Sequence, residues 1–385
     1  MDYVAVGWLV AGLFVLTVGA DLLVRGASRL AAAVRISPLV VGLTVVAFGT
    51  SAPELAVSVR SALAGQADIA VGNVVGSNIF NVLFILGLSA VVTPLVVSVQ
   101  IIRLDAPIMF GVCALLMLLA RDGRVDRSDG ALLTLGLVAY TSFAICKGRK
   151  ESASVAASEV SQRSAVEPGS IHCKADVMAG DLDRPPITEF GRRESGTGRI
   201  VRDIALVLAG LGGLVLGAQW FVDAAVTLAR SLGVSELVIG LTVVAAGTSL
   251  PEVATSVVAS LKGERDIAVG NVVGSNIFNV LGVLGLTALV TPQGLPVAAS
   301  VANLDLPVMT AVAFACLPIF FTGNRIARWE GVVFLGYYVA YTVYLVLSAT
   351  RSEGLGTLQV AMVWFVVPLT GLTLAVTTAN AARRR

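Results

Sequence analysis

Two short stretches of the chain place a glutamate beside hydroxyl-bearing residues within otherwise apolar sequence. The first stretch, residues 47–54 (AFGTSAPE), has Thr50 four residues before Glu54 and Ser51 three residues before it. Residues at these spacings share one face of a helix. The second stretch, residues 245–252 (AAGTSLPE), repeats the arrangement with Thr248, Ser249 and Glu252. Because a carboxylate in an apolar helix needs a partner, a cavity or a bound ion, both glutamates are candidate ion ligands.

A proline precedes each glutamate and predicts a break in its helix. Pro53 and Pro251 have no N–H to donate to the carbonyls of Gly49 and Gly247, four residues earlier. Kinked helices with free carbonyl groups are expected at both places. Carbonyl, hydroxyl and carboxylate oxygens are hard donors, the set that suits Ca²⁺ and, by the same argument, Na⁺.

A second pair of stretches carries a polar stripe along an apolar helix. Residues 68–83 and 266–281 are the same sixteen residues, DIAVGNVVGSNIFNVL. The stripe consists of residues spaced four apart, which are Asn73, Ser77 and Asn81 in the first copy and Asn271, Ser275 and Asn279 in the second. Asn78 and Asn276 lie one residue off the stripe. Joining helices is an alternative role for Asn73, Asn78 and their repeat equivalents, because amides often do so in membranes.

These stretches belong to an internal repeat. Residues 37–94 align with residues 235–292 at a constant shift of 198, and 42 of the 58 positions are identical. Weaker similarity on both sides makes the duplicated unit five spans long. An odd number of spans inserts the second copy upside down, as in the inverted repeats of secondary transporters. The inversion brings the two glutamates and the two stripes together near the middle of the membrane.

The composition indicates an integral membrane protein. Of 385 residues, 56% are hydrophobic and 14% are charged, whereas soluble domains have about 25% charged residues. Eleven spans are predicted, at roughly 4–24, 37–62, 69–92, 105–120, 130–147, 203–229, 235–261, 267–290, 304–322, 330–348 and 357–380. The net charge of +2 gives no basic surface for nucleic acid. The single histidine, His172 beside Cys173, makes no metal centre, and the spans hold no HExxH motif or nucleophile–base pair of an enzyme.

The predicted fold is an all-α integral membrane protein with two inverted five-helix halves and one extra C-terminal helix. The halves are residues 1–147 and 201–350, a polar cytoplasmic loop covers 148–200, and 351–385 holds the extra span and a basic tail. If the N-terminus is outside, the inner loops and tail carry eleven Lys or Arg against six outside, which favours a cytoplasmic C-terminus. The aspartates outside the site are interpreted as interfacial charges; they are Asp21 (with Arg25), Asp105, Asp223 and Asp305.

The motifs GTSAPE and GTSLPE, each followed by GNVVGSNIFNV, resemble the alpha-repeats of the cation/Ca²⁺ exchanger superfamily, close to its prokaryotic sodium/calcium exchangers. The resemblance implies that Glu54 and Glu252 bind ions, that Thr50 and Thr248 complete the central metal site, and that further ligands surround it. These further ligands are Ser77, Ser275, Asn81 and the backbone oxygens of Ala47 and Ala245. Many sodium/calcium members have an aspartate where Asn279 stands, so the ion stoichiometry stays open. Proton-coupled members typically have a GNATE-like sequence in place of GTSAPE.

The sequence therefore predicts a secondary active antiporter that exchanges Ca²⁺ for Na⁺ by alternating access. Its expected location is a bacterial or archaeal inner membrane, and its expected partners are the two ions and the lipid bilayer, with no cofactor. Coupling to H⁺ or K⁺ is the nearest alternative, and a passive cation channel is a further one. The oligomeric state is left open.

Overall fold

The computed structural model describes residues 3–34, 36–165, 197–232 and 245–350, together with a few isolated positions between 355 and 375. Throughout these ranges the chain is helical apart from turns and four two-residue strands. The predicted eleventh span at 357–380 lies largely outside the described residues, as do His172 and Cys173 and the first part of the predicted span at 235–261.

The helices follow the two predicted halves. The first half contains α1 (Tyr3–Val34), α2 (Pro38–Val41), α3 (Ala47–Thr50), α4 (Ala52–Leu63), α5 (Ala67–Phe80), α6 (Gly87–Val92), α7 (Ala106–Leu119) and α8 (Arg127–Ala165). The second half contains α9 (Thr197–Ser231), α10 (Ala245–Gly247), α11 (Leu250–Leu261), α12 (Arg265–Phe278), α13 (Gly285–Val290), α14 (Leu306–Phe321) and α15 (Arg328–Ala349). Short π-helical segments join several of them, at Gly42–Val46, Asn81–Leu86, Ile101–Asp105, Asn279–Leu284 and Val301–Asp305, and a 3₁₀ turn covers Ala120–Asp122.

Eight helical stretches in the described ranges are long and apolar enough to cross a membrane, and the bent pair Pro38–Thr50 and Ala52–Leu63 makes a ninth. They coincide with nine of the predicted spans. The two stretches that contain the polar stripes, Ala67–Val92 and Arg265–Val290, are the most enclosed, with 78% and 89% of their apolar part buried against at most 39% in the others. The stripes therefore lie in the centre of the protein.

Two small antiparallel sheets connect the halves. Strand β1 (Leu95–Val96) follows the third predicted span and pairs with β4 (Arg325–Ile326), which follows the ninth. Strand β2 (Arg124–Val125) follows the fourth span and pairs with β3 (Leu295–Pro296), which follows the eighth. Connections after two odd-numbered spans, or after two even-numbered spans, lie on the same side of a membrane. The pairing is thus consistent with the inverted repeat.

Glycines allow close contact between helices. A Cβ atom on Gly274 would lie 2.7 Å from the carbonyl oxygen of Leu43, and one on Gly19 of α1 would lie 2.7 Å from the backbone nitrogen of Leu214 of α9. Neither position leaves room for a side chain. The backbones of α1 and α9 are therefore in direct contact.

Two expectations need correction. The polar loop predicted for 148–200 is shorter, because α8 continues to Ala165 and α9 begins at Thr197; alanine, glutamate and lysine after residue 147 are good helix formers. Asp105 is not an interfacial charge but is fully buried, and it accepts hydrogen bonds from the Tyr140 hydroxyl (3.1 Å) and the Gln100 amide (3.2 Å). Asp21 does pair with Arg25 (2.8 Å), as predicted, and also contacts Lys262.

Candidate ion-binding site

The helix breaks predicted from the prolines are present in both halves. Between α3 and α4 the chain bends by 42°, and Ser51 at the break has φ −82° and ψ 6°. Ser249 has nearly the same conformation between α10 and α11, with φ −89° and ψ 8°. Each glutamate therefore lies in the first turn of the helix after the break. The unpaired N–H groups and the dipole of a helix N-terminus favour negative charge there.

Each glutamate is held by a serine of the other repeat. Ser249 donates to Oε1 of Glu54 (2.9 Å), and Ser51 donates to Oε1 of Glu252 (3.1 Å). Both glutamates are fully buried. Within the described part of the chain, Oε2 of each has no hydrogen-bond partner. Each half thus presents one carboxylate oxygen that is buried and unpaired.

The polar stripes cross the repeat interface in the same reciprocal way. Thr50 donates to Oδ1 of Asn271 (3.1 Å), and Thr248 donates to Oδ1 of Asn73 (3.3 Å). The Ser249 hydroxyl also lies within hydrogen-bond distance of the Ser77 hydroxyl (3.2 Å). These contacts place the hydroxyl residues of the helix breaks against the stripes.

One asparagine amide of each stripe connects to the helix that bears the glutamate. Asn73 donates to the backbone carbonyl of Glu54 (3.2 Å) and to Ser58 (3.0 Å). Asn271 donates to the equivalent atoms of Glu252 (3.5 Å) and Ser256 (3.0 Å). The spacing of the motifs did not single out Ser58 and Ser256 as functional residues. The signal that could have found them is that serine occupies this position in both repeats.

Asn81 and Asn279 are the first residues of two π-helical segments. Both side chains are fully buried, and their Oδ1 atoms have no hydrogen-bond partner among the described residues. The π turns were not predicted, because nothing in residue propensity distinguishes a π turn from an α-helix. Such turns occur frequently at functional sites.

Hydrogen bonds between the repeats join most of the predicted site residues, and Asn81 and Asn279 bond to asparagines of the opposite repeat. Ala245 is described only as the first residue of α10. Ala47 is the first residue of the equivalent helix α3, and its carbonyl accepts from the Ser51 N–H (3.0 Å) and lies 3.4 Å from the Thr50 hydroxyl. Ser275 is fully buried, and its hydroxyl lacks a partner in the described ranges.

The chemistry of this region is that of hard oxygen donors. Leaving a buried polar atom unpaired costs about 1–3 kcal/mol, and five such oxygens occur here: Oε2 of Glu54 and Glu252, Oδ1 of Asn81 and Asn279, and Oγ of Ser275. A cation accepts lone pairs from atoms of this kind. Because all five are oxygens, the donor set suits Na⁺ or Ca²⁺ better than a transition metal.

The surroundings of the two glutamate-bearing helices differ between the halves. Helix α1 packs along α11. In the described part of the chain no helix covers α4 in the same way, and a cavity of about 530 Å³ lies beside it. The cavity is lined by Ala52, Leu55, Ala56, Val59, Arg60 and Leu63. Asn73 is half-buried, whereas Asn271 is fully buried.

Comparison with known proteins gives consistent results. A family model described as sodium/calcium exchanger protein matches residues 4–146 and 203–347. The chain is 36% identical over 349 residues to the putative antiporter CaxA of Alkalimonas amylolytica, covering 90% of this chain and 99% of that protein. It is 35% identical to the sodium/calcium exchanger MaX1 of Methanosarcina acetivorans, covering 88% and 97%. A solved structure of the sodium–calcium exchanger NCX_Mj, soaked with 10 mM Na⁺ and zero Ca²⁺, superimposes with a TM-score of 0.69 at 28% identity, covering 88% and 98%.

Proposed function

The chain belongs to the sodium/calcium exchanger protein family and is a multi-pass cation/Ca²⁺ antiporter, and we propose that it couples Ca²⁺ export to Na⁺ entry. The observation that supports this proposal is the pair of buried glutamates, each bound through one oxygen to a serine of the opposite repeat and unpaired at the other. Neutral oxygens surround this pair.

The proposed ligands come equally from the two repeats. Glu54, Glu252, Thr50 and Thr248 form the central site, with the remaining oxygens supplied by Ser51, Ser249, Ser77, Ser275, Asn81 and Asn279 and by the backbone of Ala47 and Ala245. With both carboxylates ionised, the site carries two negative charges, which one Ca²⁺ or two Na⁺ neutralise. The two ions therefore compete for the same charge. A third Na⁺ would bind through neutral oxygens and be the weakest.

Coupling follows from the cost of burying charge. An empty site with two uncompensated carboxylates is expensive to enclose in the protein interior, because several kcal/mol of desolvation per ion is unpaid. A loaded site is neutral and is enclosed readily. Only a site that holds ions converts between the inward-facing and outward-facing states. Ca²⁺ therefore moves in one direction when Na⁺ moves in the other.

The proposed orientation places the N-terminus outside. The C-terminal end of α4 then lies at the outer surface, together with the end of the cavity that Arg60 and Leu63 line.

Ion uptake into proteoliposomes tests the proposal. Vesicles loaded with Na⁺ and diluted into Na⁺-free medium should accumulate Ca²⁺, whereas vesicles loaded with K⁺ or given a pH gradient should not. Uptake that follows the pH gradient or internal K⁺ and ignores Na⁺ would replace the sodium assignment. Ca²⁺ flux that needs no counter-ion gradient would indicate a channel.

A further inference from the structure

Four asparagines meet at the centre of the protein, two from each repeat. The Nδ2 group of Asn279 donates to Oδ1 of Asn78 (3.1 Å), and that of Asn81 donates to Oδ1 of Asn276 (3.4 Å). Each bond joins one repeat to the other. All four side chains are at most 2% exposed.

These bonds determine which way two ligand amides point. A side-chain amide has a donor nitrogen at one end and an acceptor oxygen at the other, so fixing the nitrogen also fixes the oxygen. The oxygens of Asn81 and Asn279 are the ends that lack a partner within the described residues. If either amide turned over, its NH₂ group would take the place of that oxygen and could not bind a cation.

Asn78 and Asn276 are in turn held in one orientation. The Nδ2 group of Asn78 donates to the backbone carbonyl of Asn276 (3.2 Å) and lies 3.6 Å from Sδ of Met309. The Nδ2 group of Asn276 lies 3.4 Å from Sδ of Met109. A thioether accepts hydrogen bonds weakly and cannot donate them. Both nitrogen ends are therefore occupied, which leaves both oxygen ends to receive Asn279 and Asn81.

We infer that Asn78 and Asn276 are positioning residues of the transport site, which hold the amides of Asn279 and Asn81 with their oxygens toward the ion. The inference rests on the proposed function, because it requires a cation at that place. It also assigns a role to Asn78 and Asn276, which lie one position off the polar stripes. Joining the helices is the alternative role for these two residues.

A double-mutant cycle on the purified full-length protein separates positioning from packing. Ca²⁺ and Na⁺ affinities are measured by titration calorimetry for Asn78→Ala, Asn279→Ala, Asn81→Ala and the two double variants that contain Asn78→Ala. The cycle uses the ion whose affinity Asn279→Ala weakens. Loss of a residue that orients a metal ligand typically weakens binding about 10-fold or more, and Asn78→Ala should do so alone.

The matched backgrounds decide the outcome. With Asn279→Ala already present, Asn78→Ala should change affinity by less than about twofold, the usual error of additivity. With Asn81→Ala present, it should again cost about 10-fold, because Asn81 is held by Asn276. Equal effects in both backgrounds, or no effect of Asn279→Ala on either ion, would overturn the inference.

Two further results keep the test decisive. If Asn78→Ala does not give a monodisperse protein, the cycle of Asn276→Ala with Asn81→Ala replaces it, with Asn279→Ala as the control. Failure of both variants to fold would assign the four asparagines to packing and contradict a positioning role. If the wild-type protein binds neither ion, the proposed function itself fails, which is a different result from an intact site that ignores Asn78.

Discussion

The helix that bears Glu54 and the helix that bears Glu252 carry the same types of ligand residue, but different helices pack against them. Val57 on α4 is 36% exposed, whereas Thr255, its equivalent on α11, is fully buried. Helix α1 covers α11, and Asp21 of α1 contacts Lys262 immediately after α11. The equivalents of these two residues are Gln219 and Ala64, which cannot form an ion pair. The duplicated sequence thus builds a symmetric site between two helices whose surroundings differ, and a difference of this kind is what alternating access requires.

The largest expected effect tests the symmetric part of this comparison. Glu54→Gln and Glu252→Gln should each reduce Ca²⁺ exchange in proteoliposomes by about 100-fold or more, because removing one partner from a buried set of charges costs about 3–5 kcal/mol. The losses should be equal, since each carboxylate is bound by the equivalent serine of the opposite repeat. Glu330→Gln is the matched control: Glu330 is also buried but receives the Ala327 N–H (2.7 Å) outside the site. Near-normal exchange by either site variant would place the ion elsewhere.

The next prediction concerns the asymmetric part. Ala56 and Ala254 are equivalent alanines on α4 and α11, and only Ala56 lines the cavity. In a background without the four native cysteines, Ala56→Cys should react with a water-soluble thiol reagent several times faster than Ala254→Cys. Ala56 is exposed, whereas Ala254 is half-buried on the helix that α1 covers. The measurement is the labelling rate in detergent without ions, and equal rates would contradict a difference in accessibility between the two helices.

A smaller effect is expected from the contact between α1 and α11. Asp21→Asn should raise the labelling rate of Ala254→Cys by up to about fivefold, because a partly exposed ion pair contributes about 0.2–1 kcal/mol. The rate at Ala56→Cys should fall or stay constant. A charge exchange, Asp21→Lys with Lys262→Asp, should return both rates toward those of the parent. If the ratio of the two labelling rates is unchanged in the Asp21→Asn variant, the ion pair does not affect the balance between inward-facing and outward-facing conformations.

The smallest expected effect comes from a difference between the N-terminus of α8 and the N-terminus of its equivalent, α15. Asp126 accepts hydrogen bonds from the Asp129 N–H (2.9 Å) and the Ser128 hydroxyl (2.7 Å), which hold its pKa below the usual value of 3.8. Its equivalent before α15 is Ala327, which has no acceptor in its side chain. Because the pKa of Asp126 is lower in the folded than in the unfolded state, its ionised carboxylate stabilises the folded protein at pH values above the unfolded-state pKa. This stabilisation disappears as the pH falls through the folded-state pKa.

Asp126→Ala should therefore lower the melting temperature slightly at neutral pH, and the difference from the wild type should disappear in acid. Ala327→Asp should add the missing cap and raise the melting temperature slightly under neutral conditions. Differential scanning fluorimetry of both variants across pH measures these changes. A destabilisation by Asp126→Ala that persists in acid would mean that the charged carboxylate is not its cause.

Much of the fold could be predicted because membrane insertion depends on local sequence. A stretch of apolar residues predicts a span, and duplication of five spans predicts inversion, whatever the details of packing. Proline before each glutamate similarly predicted the two breaks, which the chain has at Ser51 and Ser249. The inversion also predicted that both glutamates and both stripes converge, and hydrogen bonds between the repeats join each glutamate and each stripe to a helix break of the opposite repeat.

Other features depended on contacts between residues far apart in the chain. The buried state of Asp105 follows from the Tyr140 hydroxyl of α8, and the orientation of Asn279 follows from Asn78 of the other repeat. Helix α8 continues beyond residue 147 because adding residues to an existing helix is cooperative. The change from apolar to polar sequence at this point marks the end of the span and does not predict the end of the helix.

The sequence by itself determined the spans, the inversion and the chemical types of the ligands, because these depend on local hydropathy, on the parity of a repeat and on residue identity. The tertiary structure alone decided which oxygens remain unpaired and which of the two glutamate-bearing helices α1 covers. The motifs AFGTSAPE and AAGTSLPE place the same types of ligand in both halves, so they do not distinguish the surroundings of the two glutamates. Among the described residues α1 packs along α11 and no helix packs along α4 in the same way, and that arrangement depends on the packing of the whole protein.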